Sequence, residues 1–186
     1  PLLFLLQAIT WEAFPGGLQP MKNAADCVAP KVGAARPVWE KSPERASYNL
    51  HYYWKDTYET LKRLSDGPGS PFDGVALEYV NPSGGHTMPT LSCGIQMLRR
   101  GEVTQTHRHN SSTIYHAFRG GGTTMINGEK FDWEQGDCFV VPLWSWHSHQ
   151  NRSKEDEAIL FSTSDMPVME ALKLYREEPG EGACGG

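Results

Sequence analysis

Two patterns of apolar and polar positions divide the chain. Trp54, Tyr58, Leu61 and Leu64 recur at the spacing of one helix face, which predicts an amphipathic helix stopped by Ser65-Asp66-Gly67-Pro68-Gly69. After Pro71 the pattern changes to short runs: Val75 to Val80, Leu91 to Leu98, Thr113 to Phe118, Thr123 to Ile126, Glu129 to Trp133, Cys138 to Val141, Trp144 to His149 and Ile159 to Thr163. Runs of this length, evenly spaced and bounded by turn residues, predict antiparallel strands. Asn81-Pro82-Ser83-Gly84-Gly85 reads as a loop, Arg99-Arg100-Gly101 as a turn, and Asn127-Gly128 as a two-residue hairpin. Without repeats or low-complexity tracts, the expected fold is all-β dominated, a jelly-roll β-barrel with an N-terminal arm and a few short helices.

The ends differ from the middle. Pro15, Pro20, Pro30, Pro37 and Pro43 interrupt helix and ladder alike, so residues 1–50 read as an arm with one short helix around Leu3 to Phe14. Ser164-Asp165-Met166-Pro167 is a helix start, and Val168, Leu172 and Tyr175 continue an apolar stripe. The expected organisation is therefore an arm and helix over 1–70, a barrel over 71–178, and a disordered tail over 179–186. The first residue is not Met, and the natural chain is expected to begin upstream.

Composition narrows the partners. The 186 residues carry a formal net charge of -5, and no long Lys or Arg run is present, so neither nucleic acid nor a membrane surface is expected. Pro1 to Ile9 is apolar but too short to span a bilayer. Cys27, Cys93, Cys138 and Cys184 are too far apart for a zinc ribbon or a disulfide scaffold, and a reducing, cytoplasmic location is expected. Cys93 and Cys138 are expected as small core residues, and Tyr48, Tyr52, Tyr53 and Trp54 as packing aromatics.

The chemistry concentrates between Gly101 and Asn151. On a strand His107 and His109 project from one face, and His147 and His149 do so on a later strand. An antiparallel barrel can bring the two pairs together around one metal ion, and three imidazoles with open positions describe a catalytic site. Arg108 should point away from its flanking histidines toward a salt bridge, while Trp144 and Trp146 should pack at the barrel mouth.

Gly101, five residues, His107-x-His109 and Gly120 resemble the first cupin motif; Gly136, five residues, Pro142, then His147, three residues and Asn151 resemble the second. Thr113 and Ile114 stand where the first motif usually has a glutamate, so the match is to a three-histidine cupin. Thr106-His107-Arg108-His109, the run from Val140 to His149, and Leu160 to Pro167 resemble the gentisate 1,2-dioxygenase family, with its salicylate and 1-hydroxy-2-naphthoate dioxygenases. The opening segment makes the chain similar to the linker and second cupin of these two-cupin proteins.

The resemblance implies Fe(II) held by His107, His109 and His147. It implies ring opening of a small hydroxylated aromatic acid by dioxygen, with His149 as a donor or acid-base group beside the metal, or as a ligand itself. Tyr115, followed by His116, occupies the position where the family's catalytic cupin has a carboxylate-gripping arginine, leaving Arg99, Arg100 or Arg119 as possible substitutes. The apolar arm implies a homo-oligomer or packing on another cupin domain. A non-catalytic cupin module that supports a partner domain is the alternative expectation.

Overall fold

Period-two alternation resolves into two five-stranded antiparallel sheets in a computed structural model that describes residues 51–82 and 84–180. Helix α1 spans Trp54–Leu64 and is followed by β1 (Val75–Tyr79), β2 (Ser92–Leu98), β3 (His107–His109), β4 (Thr113–Arg119) and β5 (Gly122–Ile126). Then come β6 (Glu129–Trp133), β7 (Cys138–Val141), β8 (His147–Asn151), β9 (Ala158–Ser164), α2 (Met166–Ala171) and β10 (Glu177–Pro179). One sheet runs β1-β2-β9-β4-β7 and the other β10-β3-β8-β5-β6. Sequence-distant strands are thus neighbours, as in a jelly roll.

Each face of the first sheet buries its own cluster. Leu98, Tyr115, Ala117, Val141, Ala158 and Leu160 point inward and meet Ile126 and Trp133 of the second sheet. The alternate positions Val75, Ile95, Met97 and Ile159 point outward and are covered by Leu61, Trp54 and Tyr58 of α1. Leu61 is fully buried, a contribution of about 1.5–3 kcal/mol. The helix therefore belongs to the barrel's packing, although its sequence groups with the arm. In the β5–β6 hairpin, Asn127 (φ 50°) and Gly128 (φ 86°) form the turn and Ile126 pairs with Glu129. Beside it, a Cβ on Gly122 would collide with the Trp133 indole and the Gln150 carbonyl.

Several expectations need correction. The strand expected from Trp144 begins at His147, because Trp144 adopts φ 58° and the Ser145 N–H closes a turn on the Pro142 carbonyl. Cys138 is exposed and Cys93 only half-buried. Tyr53 is exposed. Helix α2 stops at Ala171 and leaves Leu172 in solvent; the Asp165 carboxylate accepts a hydrogen bond from the Ser112 N–H rather than capping it. Pro179, expected at the start of a disordered tail, lies in β10, and the Gly180 N–H donates to the Thr106 carbonyl at 2.7 Å. The helix around Leu3 to Phe14, the rest of the arm, Tyr48, Cys27, Cys184 and residues 181–186 lie outside the described residues. Among the described residues no helix is long and apolar enough to cross a membrane.

Asn151, which ends β8, ties three chain segments together. Its Nδ2 donates to the Leu98, Arg99 and Asp156 carbonyls, and its Oδ1 accepts from the Ser153 N–H. Asn151→Ala is expected to lower the unfolding free energy by roughly 2–4 kcal/mol, since buried carbonyls are left unpaired; urea unfolding measures this. At the surface, His86 bridges Glu78 (2.6 Å) and Glu170 (2.8 Å), and the hydrogen bond to the Glu78 carboxylate leads in holding its pKa above the ordinary value. A raised folded-state value stabilises below about pH 6.5 and is lost as pH rises through that folded value. The stability advantage over His86→Asn should accordingly be largest near pH 6 and fade in alkaline buffer, as thermal unfolding across pH would register.

Candidate metal centre

The two histidine pairs meet because β3 lies beside β8, with His107 opposite His147. Both strands turn alternate residues inward, so His107, His109, His147 and His149 are all buried. Ring centroids are 4.2 Å apart for His107 and His147, 5.0 Å for His109 and His147, and 5.7 Å for His107 and His109. One ring nitrogen from each of these three lies within 4.8 Å of the others, so a single ion could bind them after small rotations. Phe72 packs edge-on against His107 at 5.3 Å.

Protonation suits this geometry. Burial, reinforced by repulsion from His107, pushes the His147 pKa down to about 3. Burial likewise lowers that of His109. Both are thus neutral near pH 7, as ligation requires. Nδ1 of His147 lies 2.9 Å from the Ser145 carbonyl, and Nδ1 of His109 lies 2.9 Å from that of Ser111. Each Nδ1–H is therefore a donor, and each Nε2 keeps its lone pair. The buried Nε2 of His147 and Nδ1 of His107 have no hydrogen-bond partner, and a metal would satisfy such orphaned donors of electron pairs. The three residues fit a divalent metal of borderline softness.

His149 is held differently. The Trp133 indole N–H donates to the Thr124 hydroxyl at 3.0 Å, and that hydroxyl lies 2.8 Å from Nδ1 of His149. A hydroxyl that accepts from Trp133 still has its own proton to give to Nδ1, an arrangement that suits the tautomer of His149 carrying its proton on Nε2. That nitrogen is buried and unpaired, and His149 stands outside the three residues whose ring nitrogens converge. Burial, followed by repulsion from His147, keeps its pKa well below the ordinary value.

The other candidates separate. Tyr115 faces inward, stacked on Phe139 at 5.2 Å and edge-on to His149 at 4.8 Å; burial pushes its phenol pKa up, so it stays neutral. His116, next in β4, takes the opposite face and is not brought to the histidines. Arg99 is committed to Glu102 and to the Ser65 and Gly67 carbonyls. Arg119 pairs with Glu157 beside Tyr58, and Arg100 is exposed. Arg108 points outward to Glu178. Sequence reading overlooked Gln96, which shares the inner face of β2 with Leu98 and has a buried, unpaired Nε2. A polar residue at an inward position of an otherwise apolar run was the available signal.

Known proteins agree with this architecture. Residues 94–164 match the cupin domain family. The chain is 42% identical to 5-aminosalicylate 1,2-dioxygenase from Comamonas sp over 96% of its own length and 48% of that protein. It is 37% identical to gentisate 1,2-dioxygenase from Haloferax sp over 90% of this chain and 49% of that one. The crystal structure of salicylate 1,2-dioxygenase from Pseudoaminobacter salicylatoxidans as adducts with gentisate superposes with a TM-score of 0.64 at 35% identity, covering 80% of this chain and 42% of that one. The chain spans about half the length of the curated relatives it matches. By fold, paired histidine motifs and sequence similarity, it is a cupin of the gentisate and salicylate 1,2-dioxygenase family.

Proposed function

We propose that the chain is the metal-binding second cupin of an Fe(II)-dependent dioxygenase that opens the ring of a hydroxylated aromatic carboxylate of the gentisate or salicylate type. The observation that carries this reading is the convergence of three buried imidazoles, His107, His109 and His147, from both cupin motifs of a chain 42% identical to 5-aminosalicylate 1,2-dioxygenase. Iron held there would supply Lewis acidity and one-electron chemistry toward dioxygen, with positions left open by three protein ligands. The protein's own part is orientation and exclusion of water. Tyr115, Phe139 and Phe72 line the interior around the histidines with aromatic surface. His149 presents its Nε2–H as a hydrogen-bond donor, fixed in direction by Thr124 and Trp133.

One observation favours the alternative, a cupin half whose main task is to support a partner domain. Arg99, Arg100, Arg108 and Arg119 are all directed elsewhere, and the acidic groups that bear on His109 are the carboxylates of Glu177 and Asp73. A carboxylate substrate would meet no positive counterpart from these residues. Packing on another cupin domain, or on a second copy, belongs to the same proposal.

The purified chain is expected to bind one divalent metal, and a His107→Ala, His147→Ala double variant to bind none by elemental analysis. His149→Ala should retain the ion with affinity lowered roughly 10- to 100-fold, because its role is to act beside the ligands; complete loss of metal would make it a ligand instead. In oxygen-uptake assays with Fe(II) and a panel of hydroxylated benzoates, the longer parent protein should turn over and this chain should be slower by roughly a hundredfold or more. An unpaired carboxylate costs a few kcal/mol at about 1.4 kcal/mol per tenfold. Equal turnover would place the catalytic centre in this cupin.

A further inference from the structure

The strand that carries His107 and His109 is fastened mainly from its outer edge. β3 meets β8 at the single register pair His107 and His147, whereas β10 pairs with all of β3: Glu177 with His109, Glu178 with Arg108 and Pro179 with His107. The pairing extends past both ends. The Gly180 N–H donates to the Thr106 carbonyl at 2.7 Å and the Asn110 N–H to the Arg176 carbonyl at 3.1 Å. By antiparallel alternation, Arg108 and Glu178 are the hydrogen-bonded backbone pair between them. The Asn110 side chain adds a second tie, donating from Nδ2 to the Leu174 carbonyl at 2.6 Å and accepting at Oδ1 from the Arg176 N–H at 2.9 Å.

Side chains on the outer face repeat the connection. Arg108 donates to Glu178 Oε2 from Nε at 3.0 Å and Nη2 at 2.7 Å. Its guanidinium carbon stands 4.3 Å from the ring centroids of both Trp144 and Trp146, within cation–π range. Trp144 occupies the left-handed region (φ 58°), uncommon for a bulky residue, and its N–H donates to the His109 carbonyl at 2.7 Å. Glu178, Arg108 and the two tryptophans thus join the C-terminal strand, the strand bearing two of the histidines and the turn that precedes the third.

We propose that residues 174–180 are a strap that sets the positions of His107 and His109, with Arg108, Asn110 and Glu178 as positioning residues for the metal centre. This rests on the metal-binding reading above. Without the strap, β3 is a three-residue edge strand with unpaired backbone groups, too short to hold its own conformation. Metal ligands tolerate little misplacement, so fraying of β3 appears as lost affinity. Pro179 suits the strap's place at the sheet edge, where a ladder N–H is not needed.

The test uses the full chain and its Glu178→Gln, Asn110→Ala and Glu178→Asp variants. Zn(II) affinity is measured by chelator competition, and amide hydrogen exchange is followed in metal-free protein. Glu178→Gln and Asn110→Ala should each weaken Zn(II) binding roughly tenfold and speed exchange at Arg108 and Asn110, with β2 and β9 unchanged. Glu178→Asp, which keeps the charge, should recover most of both. Unchanged affinity and exchange in the first two variants, or acceleration spread evenly through the barrel, would overturn the strap. If the unsubstituted chain binds no Zn(II), the metal reading fails, and exchange at Arg108 and Asn110 alone decides whether the strap holds the histidine strand.

Discussion

A single antiparallel contact, His107 opposite His147, makes one cluster from two distant motifs. Because β8 lies between β3 and β5, it is the central strand of the second sheet, and the pleat directs His147, His149 and Asn151 to the same side. The hydrophobic clusters that close the sheets hold this register, since a one-residue slip would turn every inward histidine outward. The cost is concentrated polarity inside the barrel. It is tolerated because His109, His147 and His149 stay neutral and one nitrogen of each bonds to Ser111, Ser145 and Thr124 respectively.

Much of this was legible in the sequence for a physical reason. Period-two alternation and turn chemistry act locally, so β4 to β7 and the Asn127-Gly128 hairpin could be placed from short windows. The histidine cluster was legible because H-x-H on a strand commits both side chains to one face. What escaped depended on distant contacts. β10 has no apolar alternation in Glu177-Glu178-Pro179, and exists because β3 presents an open edge. The beginning of β8 was misplaced because Trp144 takes a left-handed turn that its residue type disfavours and its neighbours enforce. Cys138 was misjudged because β7 is an edge strand whose outer face has no cover among the described residues.

The contrast between Tyr115 and His116 shows how a strand divides roles by parity. Tyr115 joins the aromatic interior beside His149, while its neighbour is turned to the opposite face of the sheet. The same rule separates Arg108 from the histidines on either side of it. A cation one residue out of phase cannot reach the interior, however close it lies in sequence, and here it becomes part of the outer fastening instead.

The three converging donors are all imidazoles, with no carboxylate among them. A donor set of that kind has little means of favouring iron by charge, and general nitrogen affinity ranks copper and zinc above ferrous iron. Discrimination then passes from the pocket to the surroundings: which ion occupies such a centre depends on which free ions the cell keeps scarce, and on how slowly an ion already seated exchanges for another.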